Sequence, residues 1–206
     1  MSADAAKVTR IRLAAPERRA ALLDCACRVF SEGSYRGTTT AEIAREAGVT
    51  EPILYRHFDS KRDLYLACLR EAWERVRAIW DAAVAAEPDP ALWFSTMVRA
   101  WKESEERAVI ANLWLQALVE ASEDPVIADY MRDHMREVHA YMADVLRRSQ
   151  AAGGILPGRD PEAEAWISLA IGFLRMVDLR LGGLVEGEGP RIVASRLAWL
   201  TGRESV

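Results

Sequence analysis

Residues 39–65 read TTAEIAREAGVTEPILYRHFDSKRDLY. Thr39 and Glu42 have the spacing of a capping box, so a short helix starts at Thr39 and ends near Gly48. Thr50 then caps a second short helix whose first turn holds Glu51 and Pro52, where a missing backbone N–H costs nothing. Ser60 and Asp63 repeat the capping pattern for a long helix that follows. The order is helix, tight turn, helix, support helix.

Helices this short are near the lower limit of independent stability, so neighbours must hold them. Leu54 and Phe58 are four apart on one face of the second helix, matching an apolar stripe of Leu22, Ala26, Val29 and Phe30 in the preceding segment. The opposite face offers Glu51, Pro52, Ile53, Arg56 and His57, with Tyr55 at its edge and Lys61 just beyond. Hydrogen-bond donors, a ring and a methyl-rich side chain together suit a DNA major groove, where phosphates take donors and base edges take polar or methyl contacts. An ordinary solvated surface is the competing reading of a face with one arginine and one histidine.

Outward from this stretch the chain reads all-α, because apolar residues recur at helical spacing and no alternating pattern lasts long enough to make strands. Asp89-Pro90, Asp124-Pro125 and Asp160-Pro161 each place a capping carboxylate before a proline suited to a first helical turn. Gly153-Gly154, Gly182-Gly183 and Gly202 supply stops. The spacing predicts helices near 17–32, 39–46, 50–57, 60–85, 90–103, 105–121, 124–151, 160–181 and 189–201, with residues 1–15 as a flexible basic arm.

With 206 residues, half of them hydrophobic, the chain can bury a substantial core. The net charge of -4 is uneven: residues 1–65 carry 11 Lys and Arg against 9 Asp and Glu, and residues 66–206 carry 16 against 22. A basic end on an acidic body points to a local polyanion contact. The longest apolar run, Ala165–Leu174, falls short of the roughly 20 residues that span a bilayer, and the Met1 end has no apolar signal core. A soluble cytoplasmic protein without membrane contact is expected. Cys25, Cys27 and Cys68 read as buried thiols, with a redox switch as the alternative. Three histidines without Cys-x-x-Cys or His-Glu-x-x-His spacing predict neither a metal site nor a cofactor, and no phosphate loop or nucleophile turn supports an enzyme.

The 160–181 helix is apolar on two faces. Trp166, Leu169, Ala170, Phe173 and Val177 form one; Ile167, Ile171, Leu174 and Leu181 form the other. The last helix places Val193, Leu197 and Leu200 beside Ile192 and Trp199. A helix buried on both sides needs two partners, so one face packs on the body and Ile167, Ile171, Leu174, Leu181, Ile192 and Trp199 pack on a second copy. A fully intramolecular core is the alternative. Trp80, Trp93, Trp101 and Trp114 cluster in the central helices with Met97, Leu118, Met131 and Met135. Such a stripe is either core or a ligand cavity, which Phe173 would join. Glu120 reads as a solvated helix charge rather than a partner for a cationic ligand.

Residues 20–69, AALLDCACRVFSEGSYRGTTTAEIAREAGVTEPILYRHFDSKRDLYLACL, resemble the DNA-binding region of TetR-family transcriptional regulators. The match rests on Phe30, Gly37, Thr39, Ile43, Ala44, Ala47, Gly48, Val49, Leu54, Tyr55, Phe58, Lys61 and Leu64. The resemblance implies a three-helix DNA-binding domain with a helix-turn-helix over 16–62, joined to a helical ligand-binding and dimerisation domain over 63–206. It implies a homodimer that binds a palindromic double-stranded operator as a repressor and is released by a small molecule of unknown identity. It further implies that Thr50, Glu51, Pro52 and Ile53 face bases, that Tyr55, His57 and Lys61 fix phosphates, and that Thr39, Thr40 and Arg45 assist. Glu51 departs from the more usual polar or basic residue: phosphates repel it unless it accepts from a cytosine amino group. A dimeric regulator controlled by a protein partner or by no ligand is the second reading, and an enzyme using the helical cavity is the third.

Overall fold

The computed structural model describes residues 15–185 and 187–203, and these form nine α-helices and one 3-10 turn. The helices are α1 (Ala15–Glu32), α2 (Thr40–Glu46), α3 (Glu51–Leu54), α4 (Lys61–Ala86), α5 (Trp93–Glu103), α6 (Arg107–Glu120), α7 (Pro125–Ala151), α8 (Pro161–Leu181) and α9 (Gly189–Thr201). The all-α expectation holds. The expected basic arm lies, except for Ala15, outside the described residues. No helix among them is long and apolar enough to cross a membrane.

The caps explain the boundaries. The Thr39, Ser60, Asp124 and Asp160 side chains accept from the backbone N–H of Glu42, Asp63, Val126 and Glu162, satisfying donors that a helix start leaves open. Asp89 instead caps a 3-10 turn at Pro90–Leu92, so α5 begins at Trp93 and not at residue 90. Thr50 occupies the N-cap position of α3 without making a capping bond, contrary to the expectation. The second helix is shorter than the expected 50–57: beyond Leu54 the chain continues as turns, with His57 N–H bonded to Leu54 O at 3.0 Å. Gly48, at φ 67°, turns the chain between α2 and α3 through the left-handed region that side chains resist.

One core runs continuously from the first helices into the body. Leu22, Ala26 and Phe30 of α1 meet Ile43, Leu54, Phe58 and Tyr65, and the same cluster extends through Trp73, Ile110, Leu113, Trp114 and Met131. Tyr65 Oη donates to Leu113 O at 3.1 Å, tying α4 to α6. The cluster itself spans the expected boundary between residues 62 and 63. A second cluster of Phe94, Met142, Leu146, Ile155, Ala165 and Leu200 joins α5, α7, α8 and α9. The three cysteines are buried and free, and burial pushes the Cys25 and Cys68 thiols up, away from the reactive thiolate.

α8 departs from the two apolar buried faces read from its sequence. Its buried residues are Glu164, Ala165, Ser168 and Asp178, while Trp166, Ile167, Phe173, Leu179 and Leu181 are exposed. The reason is a polar seam to α9: Arg196 donates to the Glu164 carboxylate, and Trp199 Nε1 donates to Glu164 Oε1 at 3.0 Å. Leu169 packs inward, but most of the apolar surface of α8 faces away from the protomer.

Candidate nucleic-acid interface

Three small helices position the motif. Leu54 and Phe58 are fully buried among α1 and α2, so the chain between them is fixed in depth and rotation. Val49 N–H bonds to Ala44 O at 2.9 Å and Ala47 N–H to Ile43 O at 2.9 Å, which closes the turn against α2. Arg19 lies over the Phe58 ring, 4.8 Å from its centre.

The outer face carries Thr50, Pro52, Tyr55 and Arg56, all exposed, with Glu51, Ile53, His57 and Lys61 half-buried around them. Arg45 is exposed on α2, and Thr39 is exposed with its hydroxyl engaged as the cap of that helix. Thr40 differs. It is buried, and its hydroxyl donates to Glu51 Oε1 and lies 3.0 Å from Tyr55 Oη. The threonine thus braces α2 against α3 and does not face outward, and it holds one oxygen of Glu51 inside the motif. Lys61 Nζ lies 4.7 Å over the Tyr35 ring and 3.4 Å from Arg36 O. Loss of water lowers its pKa, with Glu120 opposing.

A second set of contacts, which the sequence reading missed, joins this motif to the body. Arg36 pairs with Glu120 at 3.1 Å and with Glu123 at 3.1 Å, Arg62 pairs with Asp124 at 2.8 Å, and Gln116 Nε2 donates to Gly33 O at 2.9 Å. Glu120 is therefore buried and paired, correcting its reading as a solvated charge. The arginine ends of these pairs stay largely in solvent, where such pairs contribute about 0–1 kcal/mol each, so their role is orientation more than stability. The partners are more than 80 residues apart for Arg36 and Glu120, and local pattern carries no trace of such a meeting.

The residues expected around a ligand divide. Trp80, Trp101, Trp114, Met131 and Met135 belong to or pack against the first core cluster, and Met97 is buried on α5. Leu118 and Phe173 do not join them; at 40% and 44% exposed they face outward from α6 and α8. Among the expected interface residues, Ile167 and Leu181 are exposed, while Ile171, Leu174 and Ile192 are half-buried. Trp199 is exposed on one side only, since Arg159 lies 3.5 Å from its ring centre.

Residues 22–68 match the family described as bacterial regulatory proteins, tetR family, and residues 90–171 match the family described as BetI-type transcriptional repressor, C-terminal. The chain belongs to the TetR family of transcriptional regulators. The transcriptional regulator BetI of Rhizobium meliloti (strain 1021) is 27% identical over 164 residues, covering 79% of this chain and 75% of that protein. The transcriptional activator FasR of Mycolicibacterium smegmatis is 49% identical over 59 residues, which span 29% of this chain and 27% of FasR. A transcriptional regulator structure from Pseudomonas aeruginosa PAO1 superimposes with a TM-score of 0.76 at 22% identity, over 95% of this chain and 94% of that one. That likeness is one of fold. This TetR-family chain is a DNA-binding transcriptional regulator with a helix-turn-helix at α2–α3 and a BetI-type body.

Proposed function

We propose that this regulator is a homodimeric repressor that acts in the cytoplasm on a palindromic operator and is released by a small molecule held in its body. The carrying observation is the pinned α2–α3 unit, which displays Thr50, Pro52, Tyr55 and Arg56 outward while Thr40 holds Glu51 and Tyr55 in place. Thr50, Glu51, Pro52 and Ile53 would meet bases, with Arg45, Tyr55, Arg56, His57 and Lys61 on the backbone. Residues 16–62 then form the DNA-reading part, and 63–206 the effector and dimer part. The exposed apolar face of α8 supports pairing with a second copy. The BetI-type repressor match favours repression, while FasR is named an activator.

Selection of genomic fragments by the purified protein tests this reading. The recovered sites are expected to share an inverted repeat whose half-sites lie one helical turn or a multiple apart. Fragments recovered without any shared element would overturn it. On a recovered site, Lys61→Ala is expected to weaken matched and mismatched DNA alike and to lower the slope of log affinity against log salt by about 1. An unchanged slope would remove Lys61 from the backbone contacts.

His134 supplies a check on the body. It is 2% exposed, and burial holds its imidazole down at about 4, only partly opposed by Glu137. The unfolded chain therefore binds the extra proton between the ordinary value of 6.5 and about 4, so this stability is complete above pH 6.5 and is lost as pH falls toward 4. The displacement is worth on the order of 3 kcal/mol. His134→Phe is expected to flatten the acid side of the stability profile in this window, measured by urea unfolding at a series of pH values.

A further inference from the structure

Helices α4 and α7 meet through rings. Trp73 stands edge-on to Tyr141 at 5.8 Å, and Trp80 stacks on Tyr141 at 5.7 Å. Nearer the start of α4 the same seam opens into a cleft of about 270 Å3, walled by Arg70, Trp73 and Glu74 from α4 and by Tyr130, Asp133, His134 and Glu137 from α7. The rings of Tyr130 and His134 are parallel at 5.8 Å, and Trp114 and Trp73 close on His134 edge-on at 4.7 Å and 5.7 Å. Yet neither nitrogen of this buried imidazole has a hydrogen-bond partner. A neutral imidazole presents one N–H and one lone pair, and leaving both unanswered in so dry a place is costly.

The walls decide what answers them. Three carboxylates and one guanidinium line the cleft together with Trp73 and Tyr130, aromatic residues of the kind that attract cations. Glu137 already accepts from Trp73 Nε1 at 2.8 Å, Glu74 pairs with Arg77, and Asp133 with Arg136 at 3.3 Å; the last two arginines stand outside the lining. An anion would meet the carboxylates; a cation meets rings, carboxylates and an imidazole that burial keeps uncharged. The lone pair of that imidazole needs a donor, which an amine N–H supplies and the nitrogen of a quaternary ammonium lacks. The volume lies just below the usual range of about 300–1,000 Å3 for ligand pockets, so the occupant is compact.

We propose that the α4–α7 cleft binds a compact primary or secondary amine in its protonated form, with an ammonium N–H donating to His134 and the charge set among Glu74, Asp133 and Glu137. The proposal rests on the ligand-responsive reading above and names the class of ligand. α4 runs from the cleft to the recognition unit, so an occupant there bears directly on the helix that carries the motif. By linkage, such an amine changes operator affinity only as far as operator DNA changes amine affinity.

The test titrates the full-length protein, without DNA, with 2-phenylethylamine, its N,N,N-trimethyl counterpart and 2-phenylethanol, followed by tryptophan fluorescence and calorimetry. Saturable binding of the amine is expected, with the other two probes weaker by about tenfold or more, the effect of one charge-assisted hydrogen bond or of the charge itself. His134→Phe keeps the ring and loses the nitrogens; it is expected to weaken the amine about tenfold and to leave the trimethyl compound unchanged. Should that variant fold poorly, the imidazole nitrogen resonances of His134 in the unaltered protein are expected to shift on amine binding, and Glu137→Gln is expected to weaken both cations. Absence of saturable binding, equal affinity for the amine and its trimethyl counterpart, or unmoved His134 resonances would overturn the proposal. Operator binding measured separately without amine keeps the two readings apart. Intact operator binding with no amine binding overturns this inference alone, and failed operator binding with intact amine binding overturns the regulator reading alone.

Discussion

Phe173→Glu is expected to convert the protein to a monomer and to lower operator affinity by at least about a thousandfold, toward the level of non-specific DNA. Phe173 is 44% exposed on α8, beside exposed Ala170 and Gly172, so a charge there is solvated in the isolated protomer and leaves its fold intact. In a two-fold dimer packed through this face the same residue is covered on both protomers, so two charges are buried without partners. Operator affinity falls with the dimer because each protomer alone reaches one half-site. Sedimentation at micromolar concentration and band shifts on the recovered operator check the two halves separately. A variant that remains dimeric would place the interface elsewhere.

The second large effect concerns the seam beneath that face. Glu164 and Arg196 are 6% and 9% exposed and pair between α8 and α9, with Trp199 Nε1 donating to the same carboxylate and Arg196 also donating to Glu164 O at 3.1 Å. Glu164→Ala strands the guanidinium in the interior and is expected to cost about 3–5 kcal/mol. At about 2–4 °C per kcal/mol for a chain of this size, the melting temperature drops by roughly 6–20 °C. The double change Glu164→Met with Arg196→Met removes both charges and is expected to restore most of the loss, since a buried pair can be replaced by packed apolar side chains at little cost. A single change that leaves the melting temperature unmoved would mean that water reaches the pair.

The contrast between these sites shows what the sequence could carry. The caps at Thr39, Ser60, Asp124 and Asp160, the turn at Gly48 and the Leu54–Phe58 anchors are local, and spacing along the chain identifies them. The resemblance implies that Thr40 assists beside Thr39, but one step along a helix rotates a side chain by about 100°, enough to turn it into the motif. Hydrophobicity places Phe173 and Leu118 with the tryptophans, yet apolar character does not tell a core face from a face held for a partner. Glu164–Arg196, Arg36–Glu120 and the cleft around His134 arise where distant segments meet. For the cleft alone a trace was present: Tyr130, His134, Glu137 and Tyr141 recur at helical spacing on α7, as Trp73 and Trp80 do on α4.

The central claim is that the α2–α3 unit reads DNA as one half of a symmetric pair. Its most direct test is the affinity of the protein for a recovered operator compared with the same duplex carrying one scrambled half-site and with a fully scrambled one, by fluorescence anisotropy at fixed salt. A dimer reading two half-sites is expected to lose most of its specificity with the first half-site and to fall by about a thousandfold or more on the fully scrambled duplex. Equal affinity for the three duplexes would contradict the claim.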